Sequence, residues 1–184
     1  PADVATGIEV AKHGVVVQNL ITQAAAVVRA AEYTGEYSGW GTSTSDVYKA
    51  MASHIDGLAA NTEIMPDGNT DAENIAVLKG LIEGAAQVAG LTGADLTEVQ
   101  TVSDEVAAVM YAGVTQLKSA VDNNSGSVDA LTSMAEAAAV AQGSSATSIT
   151  AAVDAIEADP ADTALLSTLV TSYGGANLTA ALDA

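Results

Sequence analysis

GVVVQNLI, Gly14–Ile21, is the stretch that decides the fold. Its apolar residues are too dense for a strand that alternates inside and outside. They continue a pattern that is helical on both sides. Upstream, Val4, Ile8, Ala11 and Val15 form one stripe; downstream, Val17, Leu20, Ile21, Ala24, Val27, Val28 and Ala31 extend it. The spacing predicts a single helix from Asp3 to Tyr33, about 45 Å long at ~1.5 Å per residue. Because its middle is apolar on most faces, the helix belongs in a core or against another subunit.

The same spacing recurs along the chain, and no strand-type alternation persists beyond a few residues. Helices are predicted over Ser45–Ala60, Asp71–Ala89, Asp95–Val121, Val128–Ala141, Ser148–Ala158 and Pro160–Ser172. Asp71 and Asp95 read as caps, the latter with Glu98 in a capping-box pattern. QGSSATS (Gln142–Ser148) reads as a break. In ADPADTALL (Ala158–Leu166), Asp159 reads as a cap and Pro160 as the first helical residue. The fold class is all-α, a bundle of about six to eight helices with a long N-terminal helix.

Hydrophobic residues make up 49% of the 184 residues, yet Phe is absent and Trp occurs once, so the core must be built from Ala, Val and Leu. Small side chains let helices approach closely. The length suits one helical domain over residues 1–184. GADLT (Gly93–Thr97) returns as GANLT (Gly175–Thr179) and raises a second division, sub-bundles 1–92 and 93–184.

Asp and Glu number 23 against five basic residues, giving a net charge of −18. Nucleic acid is a poor partner, because its binding needs Lys and Arg on phosphates. Such a charge suits cation-rich, extracellular or cell-surface surroundings. With no Cys, disulfides and thiolate metal sites are excluded. PADVATGIEV at the start has no basic-then-apolar leader pattern. Pro1 fits either removal of a preceding Met or a boundary. No uninterrupted run reaches the ~18 to 20 apolar residues that span a membrane.

Catalytic motifs are missing. No Gly-x-Ser-x-Gly elbow and no phosphate loop occurs, and the two histidines, His13 and His54, lack a Glu-x-x-His partner. Adjacent acids such as Asp104 and Glu105 diverge on a helix and read as a solvated face. The chain therefore reads as non-enzymatic.

Two polar turns are candidate calcium ligands. MPDGNTDAEN (Met65–Asn74) places oxygens at Asp67, Asn69, Asp71 and Glu73. As an EF-hand it fails at Ala72, Asn74 and Leu78, where Gly, an apolar residue and Glu are required. DNNSGSVDALTS (Asp122–Ser133) offers Asp122, Asn124 and Asp129 but ends in Ser133. An irregular calcium site and a plain set of helix caps both fit. A third group is aromatic. Tyr33, Tyr37, Trp40 and Tyr48 lie on or beside the Gly/Ser-rich TGEYSGWGTSTS (Thr34–Ser45), where they can stack on a glycan, anchor a partner or plug the core.

These features converge on a structural or interaction protein that assembles with copies of itself, as a homo-oligomer, filament or surface layer, gated by calcium. The alternative is a helical carrier holding an apolar ligand or pigment between helices. A carbohydrate-binding module around Trp40 is a weaker third reading.

Overall fold

The computed structural model describes residues 2–32, 44–56, 65, 68–123 and 128–173, and among them every regular element is helical. In chain order these are α1 (Ala2–Glu32), α2 (Thr44–Asp56), α3 (Asp71–Ala89), α4 (Gly93–Asn123), α5 (Val128–Val140), α6 (Ala146–Ala158) and α7 (Ala164–Tyr173). The predicted all-α bundle with a long first helix and a small-residue core is what the chain forms.

α1 and α4, each 31 residues long, are the axis of the bundle. α1 packs on α2, α3, α4, α5 and α6; α4 packs on α1, α3, α5, α6 and α7. The main core joins Leu20, Ile21, Val27 and Val28 of α1 to Leu78 and Ile82 of α3, Met110 of α4, Ile149 and Ile156 of α6 and Leu169 of α7. Alanines fill the spaces between them, as at Ala24, Ala85, Ala86 and Ala107. No aromatic side chain is buried among the described residues. A smaller cluster of Ile8, Leu117, Met134 and Ala137 holds the first turns of α1 to the end of α4 and to α5.

This division corrects the reading of Gly14–Ile21. Leu20 and Ile21 are fully enclosed, but Val15, Val16 and Val17 are only half-buried and Val10 is 68% exposed. The second half of α1 lies in the main core, Val16 and Val17 pack at its edge, and the first turns meet the small cluster through Ile8, Ala11 and Val15. Over Thr6–Ala31 the helix is long and apolar enough to cross a membrane by those measures alone. Yet 56% of its most apolar window is buried inside the bundle, and a core helix passes the same test.

Helix ends follow local chemistry, though not always at the predicted residue. α3 is capped by Thr70 rather than Asp71. Thr70 Oγ1 accepts from the Glu73 N–H at 3.3 Å, and the Thr70 N–H donates to Glu73 Oε2 at 2.7 Å, a complete capping box. α3 ends at Gly90, whose φ of +93° is the left-handed conformation that glycine adopts without penalty. The N–H groups of Gly90 and Leu91 return to Gln87 and Ala86, a Schellman turn. α4 begins at Gly93, so Asp95 lies in its first turn and is not its cap.

QGSSATS does not break the chain. α5 runs through a π-helical stretch, Ala141–Ser145, straight into α6. Asp159 ends α6 in an extended conformation instead of starting α7. Its Oδ1 accepts from the Ala161 N–H at 3.0 Å, a local turn that consumes the capping oxygen, and the helix resumes only at Ala164.

Candidate functional site

Asn19 and Gln23, on one side of α1, carry amides into the bundle and are 5% and 3% exposed. Opposite them runs the π-helical stretch. The wider turn of a π-helix is uncommon and tends to mark functional positions. Here it presents two polar side chains to α1. Gln23 Nε2 donates to Ser145 Oγ at 2.9 Å, and Gln142 Nε2 donates to Asn19 Oδ1 at 3.0 Å. Ser145 is 1% exposed, so the first of these bonds is buried. Gly and Ser are poor helix formers; the bonds to α1 keep this stretch helical where local propensity predicts a break.

Beside this seam lies an open groove of about 640 Å³ between α1 and α6. Ala25, Ala26, Ala30 and Ala146 leave room for it. Polar groups line it: Gln18, Thr22 and Arg29 from α1, Gln142 from the π stretch, Thr150 and Asp154 from α6. Thr22 and Thr150 donate their hydroxyls to carbonyls one turn back, Gln18 O at 2.9 Å and Ala146 O at 3.1 Å. Thr22 Oγ1 also accepts from Gln18 Nε2 at 3.4 Å, while the Thr150 oxygen stays able to accept. Tyr48 of α2, 47% exposed, donates to Gln18 Oε1 at 3.2 Å and braces the rim.

Of the aromatic group, Tyr48 is therefore placed at the groove; Tyr33, Tyr37 and Trp40 lie outside the described residues. The first polar turn is described at Asn69, Asp71 and Glu73 and not at Asp67. Each of the three has a protein partner. Asn69 donates to Asn74 Oδ1 at 3.2 Å, Asp71 Oδ1 accepts from the Tyr111 hydroxyl at 2.7 Å, and Glu73 completes the capping box. The bonds from Thr70 hold the Glu73 carboxyl below its ordinary pKa. In the second turn, Asn124 lies outside the described residues, and Asp122 is 3.8 Å from Lys12 Nζ. Asp129 is exposed at the start of α5 and has a partner of its own. Burial works against the charge of Lys12, but Glu9 at 2.7 Å and Asp122 outweigh it and raise its pKa. Among the described residues, no three His, Asp or Glu side chains converge as metal ligands would. His13 is exposed on α1.

Glu98 departs most from its predicted role. Instead of closing a capping box, its Oε2 is buried without a hydrogen-bond partner. Desolvation, then the charges of Glu157 and Asp95, push its pKa up from 4.5. A raised carboxyl pKa means that the folded state takes up the proton more readily than the unfolded state. The resulting penalty is full above the folded pKa and fades as pH falls through it. Glu98→Gln is therefore expected to raise stability at pH 7. The gain is under about 1 kcal/mol, because solvent screens part of the carboxylate. Urea melts at pH 7 and pH 4 test this: the gain must shrink at the lower pH, and equal gains would exclude the assignment.

Compared with known proteins, the chain matches no family, no characterised protein and no solved structure.

Proposed function

We propose that this chain is a non-enzymatic structural or interaction protein of the extracellular space or a cell surface, which assembles with copies of itself when cations screen its charge. The observation that carries this reading is a face of α1 that no other described residue covers. Gly7, Val10 and Gly14 are exposed in sequence and Val17 is half-buried at the edge. Their 3-4-3 spacing is that of a helix–helix seam. A Cβ built at Gly7 or Gly14 meets nothing within 4 Å, so a second helix has room to approach. A net charge of −18 repels like copies within a Debye length of ~8 to 10 Å at ordinary salt. Calcium, at the acidic turns or in the counterion atmosphere, relieves that repulsion.

Static light scattering during calcium addition, followed by excess EDTA, tests the proposal. Wild-type particles are expected to grow with calcium and to shrink on chelation. Val10→Asp should hold at the monomer mass throughout, with an unchanged helical circular dichroism spectrum, because the residue is on the surface. A wild-type chain that stays monomeric at high protein and calcium concentration sinks the proposal. Growth of Val10→Asp equal to wild type removes α1 as the seam. The carrier alternative draws on the groove between α1 and α6, but the threonines, glutamines and charges there suit a polar occupant better than an apolar one.

A further inference from the structure

We propose that the groove between α1 and α6 binds a small zwitterion of the amino-acid or short-peptide class, its carboxylate held by Arg29 and its ammonium by Asp154. This goes beyond the assembly reading and does not depend on it.

Arg29 is the sole arginine in a chain with 23 acids, yet it is exposed in the last turn of α1 and forms no ion pair among the described residues. Its guanidinium is a planar fork suited to two carboxylate oxygens. Asp154 is exposed on α6 and lines the same groove. The two form no ion pair with each other, so the groove carries two opposite charges that are not spent on one another. A simple anion is repelled by the net charge of −18, and a simple cation leaves Arg29 facing its own sign. A molecule carrying both charges and none in sum meets neither objection.

The remainder of the lining is compatible with a peptide-like body. The alanine floor leaves the groove open. Thr150 has a hydroxyl oxygen able to accept from an N–H group. Gln142 is held by Asn19 through its amide nitrogen, which leaves its carbonyl oxygen for the ligand. The volume of about 640 Å³ lies in the range of small-molecule sites, ~300 to 1,000 Å³.

Calorimetric titration with trialanine, its C-terminal amide and its N-acetyl form tests the assignment. Trialanine is expected to bind the wild-type chain. Each blocked peptide should bind about tenfold more weakly, the loss expected for one charge-assisted contact. Arg29→Gln should make binding indifferent to amidation but not to acetylation; Asp154→Asn should do the reverse. Both side chains are exposed, and an unchanged circular dichroism spectrum confirms that each variant folds. The proposal is overturned by the absence of trialanine binding up to about 10 mM. It is equally overturned if the blocked peptides bind as well as the free one, or if the variants keep the wild-type pattern.

Discussion

Ile21→Ala is expected to lower the unfolding free energy by about 3 kcal/mol, near the middle of the range for large-to-small core changes. Ile21 has no exposed surface and sits in the helix around which the main core is assembled. Part of the loss is the transfer of the missing methyl and methylene groups. Part is the cavity left behind, and this core closes cavities poorly. Among its members are Ala24, Ala25 and Ala31, whose side chains have no rotamers with which to fill a void. Val17→Ala, on the same helix but only half-buried, should cost about 1 kcal/mol or less. Urea unfolding, read as a shift in midpoint at constant slope, checks both values. Equal losses at the two positions would show that burial on α1 does not change where the main core begins.

Gln23→Leu is expected to cost about 2 kcal/mol although it swaps a polar side chain for an apolar one of similar size. The donor to Ser145 is lost, and Ser145, 1% exposed, is left without that partner away from water. Ser145→Ala strands the Gln23 amide in the same way. The double variant removes both halves of the bond, so its loss should fall short of the sum of the single losses by about 1 kcal/mol or more. Additive losses would mean that the two groups do not depend on each other. Gln142→Leu should cost less than Gln23→Leu, because Gln142 is itself exposed and its bond to Asn19 is only partly buried.

The bundle itself was legible in the sequence for a local reason. Apolar residues three and four apart lie on one side of a helix, and α1, α3 and α4 repeat that spacing for several turns. Where a helix stops was legible when one residue has only one good conformation to adopt, as at Gly90. It was less legible where neighbours compete for one job. Thr70 and Asp71 both resemble caps, and Asp159 and Asp162 both offer an oxygen to nearby N–H groups.

The candidate site was hardly legible at all. Tyr48 stood out as an aromatic beside a loop, but its position at the groove depends on α2 packing against α1. Arg29 and Asp154 are 125 residues apart in sequence, so no local pattern joins them. The same holds for Gln23 and Ser145, whose bond spans 122 residues. That bond also explains the error at QGSSATS: glycine and serine weaken a helix locally by a few tenths to about 1 kcal/mol each, and buried contacts of similar size reverse the outcome.

Periodicity thus determined that the chain is helical, that α1 is long and that the core is made of small side chains, because these follow from near-neighbour spacing and composition. Tertiary packing alone decided which residues of Gly14–Ile21 lie inside, where α5 passes into α6 without a break, and which distant polar groups share a groove. Those outcomes depend on which surfaces meet, and in a chain so rich in alanine many pairings of helix faces have nearly the same local pattern.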